Sequence, residues 1–418
     1  MKRIKEKRGI TLIALAVTII VILILAGVTI DAVFSENGII NKAKEAANAM
    51  NNAVANDQAE LNDLLEELNE IMNSEWDSNI EIPDPEPEKP TNIEDVTDIQ
   101  DETVQVEDKF GNKVTIPKGF EVVEEEGTTV PDGIVIQDKD GNQFVWIPVG
   151  RVYKDNTGTN YSDIQLGRYT FNKNNGIPNP IQLAYTDDKP KNYEQLISVP
   201  DDYNGDTCYE YATRSNPDGN NELNAIAKDL EEFVSSVKNN NGYYIARYEA
   251  SYGSGSSVAD YKPLSKVSTS TTFSTATVGS LWNNVTQIEA AKISRNMYDE
   301  KDNVGVESDL VNSYAWDTAI VFIQEMGNSN YANKLNKISS IMNTGTTKDE
   351  VCNINDISLN CREWTTEYST HKDSSNVYPC IRRGSNYTFT VNYTVFRSFE
   401  TVKYAFDYIS FRVIIYIK

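Results

Sequence analysis

Residues that could perform covalent chemistry are few in this chain of 418 residues. It contains one histidine and four cysteines. His371 lies in a polar stretch rich in Ser, Thr and Asp, which favours a surface residue over a catalytic base. No Ser, His and Asp set can be assembled around it, no glycine-rich phosphate loop is present, and no pair of carboxylates is distinguished by its spacing. The sequence therefore predicts a binding protein and no enzyme.

The residues best suited to binding are concentrated near the C-terminus. Eight aromatic side chains lie between Asn386 and Ser410, separated mainly by Asn, Thr, Ser, Val and Asp. Tyrosine provides a large rigid contact area at low entropic cost, and Asn and Ser provide adaptable hydrogen bonds. We expect an exposed ligand-binding patch made of Asn386, Tyr387, Phe389, Asn392, Tyr393, Tyr404, Phe406, Asp407 and Tyr408. The alternative is that these aromatic residues form core, with Phe396 and Phe399 the first candidates.

The net charge of the chain limits the classes of partner that it can bind. The formal net charge is −24, and the first nine residues carry +4, which leaves about −28 on the remainder. Phosphate binding requires a basic face, so a nucleic-acid partner is not expected. The acidic balance suits a soluble domain that must resist aggregation.

The N-terminal segment predicts a membrane anchor. Residues 10–30 contain no charge, and at about 1.5 Å per residue they would span a bilayer core of about 30 Å. The basic cluster before them should stay in the cytoplasm, so the remainder should lie outside the cell. We assign residues 1–34 to a leader and transmembrane helix. A cleaved secretory signal is the alternative, although its apolar core would be shorter.

Three further regions follow the anchor. Residues 35–76 show apolar side chains at helical spacing, which predicts an amphipathic helical extension. Residues 77–102 hold four prolines, ten acidic residues and one lysine, which predicts an extended linker. Residues 103–418 form the predicted ligand-binding domain.

Within that domain the predicted elements are mixed. The pattern predicts hairpin turns at residues 108–112 and 138–142. The second sequence (Asp-Lys-Asp-Gly-Asn) is also compatible with a structural calcium ion, although it does not match an EF-hand loop. The pattern predicts helices over 223–237, 287–297 and 315–326 and strands over 243–250 and 410–417. Because helices and strands intermix without regular alternation, the expected class is α+β. No cofactor is expected.

Four short motifs resemble one family. Residues 242–249 (GYYIARYE), 360–365 (NCREWT), 382–385 (RRGS) and 409–413 (ISFRV) resemble, in order, segments of the formylglycine-generating-enzyme-like domain, a variant of the C-type lectin fold. The family's enzyme uses two copper-binding cysteines after the glycine motif. Those positions fall on or near Thr388 and Tyr393, neither of which supplies a thiolate. The resemblance implies the fold without that chemistry; a tethered enzyme with altered chemistry is the alternative.

The N-terminus resembles a prepilin leader. Residues 8–13 (RGITLI) look like a site that prepilin peptidase cleaves between Gly9 and Ile10. Pilins usually carry a glutamate five residues into the mature chain, where this chain has Ala14. The resemblance therefore implies a pilin-like anchor or a minor pilin subunit, with other pilin subunits as partners only if it enters a filament.

The aromatic segment resembles the variable region of proteins that retroelements diversify. Apart from Glu400 and Lys403, each residue type between Asn386 and Ser410 can be encoded by a codon that ends in a pyrimidine, as expected when adenines of asparagine codons are randomised. Those proteins use the same fold and place the varied residues just before the terminal strand. The resemblance implies a receptor or adhesin on the bacterial cell surface, with an extracellular protein or cell-surface ligand as partner.

The cysteines allow two interpretations. Outside the cell an even number favours disulfides, and Cys361 and Cys380 flank the turn between two of the motifs, which makes them the preferred pair. Closing that loop of about 20 residues would stabilise the fold by roughly 3 kcal/mol. Cys208 and Cys352 would then pair by elimination. The alternative is four buried thiols; zinc is not expected, because no Cys-x-x-Cys pair exists.

Overall fold

A computed structural model describes residues 89–185, 195, 197–200, 208–213, 227–334, 338–373, 376–388 and 393–418. The chain divides after Pro87 into two compact units, and all described residues belong to the second. The predicted leader with Gly9 and Ile10, and the predicted extension over 35–76, lie outside the described residues. Among the residues that are described, no helix combines the length and the hydropathy needed to cross a membrane.

The described residues form three α-helices and 24 strands. The helices are α1 (Leu230–Asn240), α2 (Gln287–Arg295) and α3 (Ser313–Met326). The strands are β1 (Val104–Glu107), β2 (Lys113–Ile116), β3 (Phe120–Val122), β4 (Val135–Asp138), β5 (Gln143–Pro148), β6 (Gly150–Tyr153), β7 (Tyr161–Ile164), β8 (Gly167–Phe171), β9 (Pro178–Leu183), β10 (Ile197–Pro200), β11 (Cys208–Thr213), β12 (Gly242–Ala246), β13 (Ser251–Ser254), β14 (Lys262–Leu264), β15 (Val306–Leu310), β16 (Glu350–Val351), β17 (Ile354–Asn355), β18 (Arg362–Ser369), β19 (Lys372–Asp373), β20 (Asn376–Val377), β21 (Cys380–Arg383), β22 (Arg397–Glu400), β23 (Ile409–Phe411) and β24 (Val413–Ile417). The described residues thus combine helices and strands and are mostly β, which agrees with the predicted mixture of helices and strands.

One antiparallel sheet of six strands forms the centre of the core. Its order is β15-β24-β12-β5-β4-β3. The last strand, β24, lies between β15 and β12, and all five of its residues are buried. A strand that is covered on both faces has a continuous run of apolar residues rather than an alternating pattern. This explains the sequence Val-Ile-Ile-Tyr-Ile of β24.

A second sheet of six strands positions the candidate site. Its order is β10-β11-β18-β21-β22, and β23 pairs in parallel with β18. Trp364 lies opposite Arg382, which lies opposite Ser398, while Arg383 lies opposite Arg397. Because successive side chains of a strand point to opposite faces, the side chains of Arg382 and Arg383 lie on opposite faces of this sheet.

Both predicted hairpin turns are present. Asp108 Oδ1 accepts hydrogen bonds of 2.9 Å from the amides of Phe110 and Asn112. Asp138 repeats this with the amides of Asp140 (2.9 Å) and Asn142 (2.8 Å). The carboxylates therefore stabilise the turns themselves, as Asp side chains commonly do.

Two predicted boundaries shift. The second half of the predicted linker belongs to the folded unit, because Ile93 and Val96 are buried and Asn92 forms a β-bridge with Glu107. Helix α1 begins at Leu230 rather than at residue 223. Its start is set by Asp229, whose side chain accepts a hydrogen bond from the Glu232 amide, a standard N-cap.

The predicted Cys361–Cys380 disulfide is wrong: both residues are buried thiols that form no disulfide, and Cys352 forms none either. Cys361 precedes β18, whereas Cys380 lies opposite Tyr368 near the other end of that strand. At about 3.3 Å per residue the two positions are roughly 20 Å apart along the strand, while a disulfide requires Cα atoms within about 7 Å.

Candidate functional site

Three aromatic rings form a stack on the surface between β22 and β23. The Phe406 ring centroid lies 4.2 Å from that of Tyr404 and 5.3 Å from that of Tyr408. The Tyr404 and Tyr408 hydroxyl oxygens are 2.6 Å apart and share a hydrogen bond. Phe406 is 42% exposed. We call Tyr404, Phe406 and Tyr408 the aromatic stack.

The backbone beneath the stack is held from outside the segment. The Asn284 amide donates to the Phe406 carbonyl at 3.0 Å, and the Arg362 amide donates to the Tyr408 carbonyl at 3.0 Å. The buried Asn283 Nδ2 donates to the Asp407 carbonyl at 2.8 Å. Because these contacts use main-chain atoms of the segment, they do not depend on its side-chain types.

Tyr387 and Asp407 extend this surface. The Tyr387 hydroxyl donates to Asp407 Oδ2 at 2.9 Å, and Asp407 is exposed. Burial, together with this carboxylate, raises the pKa of Tyr387 to about 12. This hydrogen bond connects two residues of the segment that are 20 positions apart in the sequence. The raised pKa keeps the Tyr387 hydroxyl protonated, and therefore a hydrogen-bond donor, at neutral pH.

The structure brings only some of the predicted site residues together. Asn386 is fully buried, which corrects its assignment to the exposed patch: it directly follows the buried residues Gly384 and Ser385, before the chain reaches the surface at Tyr387. Its Oδ1 accepts from the Thr388 hydroxyl at 3.2 Å. Phe389 and Asn392 lie outside the described residues.

The remaining aromatic residues of the segment lie apart from the stack or below it. Tyr393 is half-buried in a turn closed by the Phe396 amide, which donates to its carbonyl at 3.1 Å. Phe396 and Phe399 are half-buried, so neither is the fully enclosed core residue that the alternative interpretation required. The Phe399 ring centroid lies 3.7 Å from that of His371, with the two ring planes tilted by 31°, so the single histidine of the chain makes an aromatic contact.

Sequence reasoning missed the contact of Arg382 with two rings of the aromatic stack and that of Arg362 with Phe396. The Arg382 guanidinium carbon lies 5.2 Å from the Tyr404 ring centroid and 5.5 Å from that of Tyr408. Arg382 Nη2 pairs with Glu400, while Nε and Nη1 are buried and have no hydrogen-bond partner. Arg362 lies 5.1 Å from the Phe396 ring. The motif 382–385 identified Arg382 only as part of a family signature, since its role depends on strand register.

The opposite face of the same sheet carries a closed ionic cluster. Arg383 Nη2 lies 2.6 Å from Asp317, and Arg168 Nη2 lies 3.1 Å from Glu367. Arg397 pairs with both carboxylates, at 2.7 Å with Asp317 and 3.2 Å with Glu367. Burial alone would raise the pKa of Glu367, but the three arginines lower it to about 2. The cluster ties β8, α3, β18, β21 and β22 together.

A second cluster of buried polar and charged side chains lies behind the aromatic segment. Glu249 accepts from Asn360 Nδ2 at 2.6 Å and from the Cys361 amide at 2.9 Å, and burial raises its pKa well above the ordinary value. Arg412 Nε lies 3.1 Å from the Glu363 carboxylate. Burial also raises the pKa of the Cys361 thiol, which makes it a poor nucleophile. These groups are committed to internal partners and serve the structure.

Comparison with protein-family models, with the curated proteins and with the solved structures found no match to this chain. Function must therefore be argued from the geometry. The aromatic stack with Tyr387 and Asp407 combines one exposed ring, that of Phe406, with an exposed carboxylate on an anchored backbone. Tyr387, Tyr404 and Tyr408 are half-buried, which corrects their expected full exposure. Such a surface can bind, and the described residues around it include no activated nucleophile.

Proposed function

We propose that this protein is a surface-displayed ligand-binding protein, a receptor or adhesin, whose contact surface is centred on the aromatic stack. The observation that supports this most directly is the exposure of Phe406, whose ring contacts two tyrosine rings. Tyrosine-rich surfaces of this kind bind by presenting rigid aromatic area with adaptable polar neighbours.

The anchoring of the backbone supports diversification of the segment by a retroelement. A segment whose main chain is held by Asn283, Asn284 and Arg362 can change its exposed side chains at little cost, because surface substitutions usually alter stability by less than about 0.5 kcal/mol. In this proposal the described unit is a C-type lectin-like domain of the formylglycine-generating type without its catalytic cysteines. The pilin-like segment 1–34 holds it at the outer face of the membrane.

The test is to alter exposed positions and measure binding. Labelled full-length protein is applied to a panel of bacterial cells and extracellular proteins, and each binder is titrated with the double variant Phe406→Ser, Asp407→Ala. Loss of an aromatic hot spot costs about 2 kcal/mol or more, so affinity should fall about 30-fold, while the melting temperature stays close to that of the wild type.

The matched control is Ile177→Ser, which removes an exposed apolar side chain (59% exposed) from the β8–β9 hairpin. It should bind as the wild type does. Equal affinity of the wild type and the double variant for every binder would refute the aromatic stack as the contact surface.

A further inference from the structure

The β8–β9 hairpin shows how this fold treats the backbone groups at a strand edge. In an antiparallel pair, alternate residues point their N–H and C=O groups away from the neighbouring strand. On β8, the amide of Tyr169 points away in this manner and donates to Asp317 Oδ2 on α3 at 2.8 Å. On β9, Pro178 and Pro180 lie at such positions, so no amide hydrogen is left to satisfy there. Neither edge of this hairpin offers a regular row of free donors.

The β6 edge of the neighbouring hairpin, β6–β7, is covered. The Lys154 amide donates to the Asn160 carbonyl at 2.9 Å, and from this pair onward alternate residues of β6, Tyr153 and Arg151, point their backbone groups away from β7. The Asn112 side chain satisfies both groups of Tyr153. Its Oδ1 accepts from the Tyr153 amide at 2.7 Å, and its Nδ2 donates to the Tyr153 carbonyl at 2.9 Å. The β1–β2 turn, which contains Asn112, thus occupies this edge.

The β7 edge of the same hairpin is open. By the same register, Tyr161 and Asp163 point their backbone groups away from β6. Both residues are exposed, and neither their amides nor their carbonyls have a hydrogen-bond partner among the residues that the structure describes. A strand edge with unpaired N–H and C=O groups is a template for the addition of another strand.

Antiparallel pairing of β7 with the β7 strand of a second copy would satisfy all of these groups. With Ser162 on a two-fold axis, Tyr161 lies opposite Asp163 of the second copy, and Asp163 lies opposite Tyr161 of that copy. Each such pair exchanges two backbone hydrogen bonds, so every outward amide and carbonyl of β7 is paired in both copies. A two-fold interface requires a self-complementary surface of this kind.

Charge does not oppose a second copy at this edge. Copies of a chain with net charge −24 repel one another. On this hairpin, however, Asp163 accepts two hydrogen bonds from Arg151, of 3.0 and 3.2 Å, and Lys154 lies 3.7 Å from Glu325. Pairing would also shield the Tyr161 ring, which is 42% exposed, because its new cross-strand neighbours belong to the second copy.

We infer that β7 is a homodimer interface, on which a second copy of this chain adds its own β7 strand in antiparallel orientation to form a continuous four-stranded sheet, β6-β7-β7-β6. The inference goes beyond the proposed function and uses no residue of the aromatic stack, so the two are tested independently. A strand of a different protein is the other possible occupant, and the test distinguishes it from a second copy.

The test is disulfide cross-linking of the full-length protein through Ser162→Cys. In the paired sheet, position 162 lies opposite itself in a non-hydrogen-bonded pair, where the Cα atoms are about 4.5 Å apart, within the range of a disulfide. Cells that express the variant are oxidised with copper phenanthroline, and dimer is measured on non-reducing gels above the wild-type level. We expect a dimer, in which peptide mass spectrometry finds the two substituted positions joined.

Thr157→Cys is the control for random collision. Thr157 lies at the exposed tip of the same hairpin, so chance cross-linking would favour it over the half-buried Ser162. Antiparallel pairing places the two tips roughly 30 Å apart. We therefore expect at least tenfold less dimer from Thr157→Cys than from Ser162→Cys.

A second pair of variants tests the backbone hydrogen bonds. Asp163→Pro, added to Ser162→Cys, removes an outward amide hydrogen, whereas Asp163→Asn keeps it; both remove the ion pair with Arg151. The fold should accept this proline as it accepts Pro178 and Pro180 on β9, which equal melting temperatures of the two variants would check. The dimer should be lost with Pro and kept with Asn. No dimer from Ser162→Cys, equal yields from positions 157 and 162, or equal yields with Pro and Asn would overturn the inference. A cross-link from position 162 to a different protein would overturn the assignment to a second copy.

Discussion

Cys361 shows that burial, more than residue type, decides what a reactive side chain does here. Its thiol lies 3.8 Å from the carbonyl oxygen of Asp407, directly behind the aromatic segment, yet the residue is fully enclosed. Burial and then the neighbouring Glu249 raise its pKa well above the ordinary range. Burial likewise raises the pKa of Cys380 to about 12. Both residues therefore act as small core side chains.

This gives a prediction for thiol titration. Neither Cys361 nor Cys380 should react with Ellman's reagent in the native protein at mildly alkaline pH, because only an accessible thiolate reacts. Both should react after unfolding in guanidinium without a reducing agent, and peptide mass spectrometry of the labelled protein identifies them. Recovery of a peptide pair that joins Cys361 to Cys380 under non-reducing conditions would contradict the structure and restore the disulfide.

At the scale of the element, strand register separates two arginine clusters that are adjacent in sequence. Arg383 and Arg397 lie opposite each other on one face of the second sheet, where two carboxylates neutralise most of their charge. Arg382 lies on the other face with Glu400 alone. The salt bridges on one face therefore connect the sheet to helix α3, whereas Arg382 on the other face lies under the aromatic stack.

The locked face should control acid stability through Glu367. Its pKa in the folded protein is about 2, below the ordinary value of 4.5, so its contribution is present above about pH 4.5 and is lost as the pH falls toward 2. The shift corresponds to about 3 kcal/mol. In urea unfolding from neutral to acidic pH, the stability difference between the wild type and Glu367→Gln should shrink by about that amount.

The control is Glu400→Gln, on the opposite face. Burial raises the folded pKa of Glu400, so its contribution has the opposite sign: the folded state gains relative stability as the pH falls below the folded pKa. Its difference from the wild type should therefore move in the other direction. Parallel pH profiles for the wild type and Glu367→Gln would show that the arginines do not depress the pKa of Glu367.

These elements also show how far the sequence alone could lead. Both hairpin turns, α2, α3 and the terminal strand follow from local signals, such as the Thr286–Glu289 capping box that begins α2. The ionic clusters could not be predicted, because Arg168 and its partner Glu367 are 199 residues apart and meet only through tertiary packing. The same holds for Arg382 under the stack. Composition drew attention to the segment that carries the aromatic stack, but the burial of Asn386 depends on how the chain leaves β21, which composition does not show.

For the whole molecule, the proposed function assigns complementary roles to the acidic charge and to the small aromatic stack. A net charge of −24 keeps such a protein soluble and opposes unspecific association with other acidic surfaces. Specific contact must then come from a few desolvated groups, which is the usual distribution of energy at interfaces. In the proposed function, the aromatic stack supplies such groups in the described part of the chain.

Display of this surface requires the second unit to lie outside the cell, which protease treatment of intact cells can test. The boundary between the two units follows Pro87, inside a segment whose glutamates at 81, 86 and 88 are substrates for endoproteinase Glu-C. We expect Glu-C to release a fragment that begins at residue 82, 87 or 89 and ends at Lys418, because the composition of residues 77–88 opposes folding while the unit beyond is packed. The matched variant replaces Lys5, Lys7 and Arg8 by Gln; it should release less fragment, since the positive cluster directs the orientation of the anchor. If the fragment appears only after the cells are permeabilised, the second unit lies in the cytoplasm and the proposed role at the cell surface is wrong.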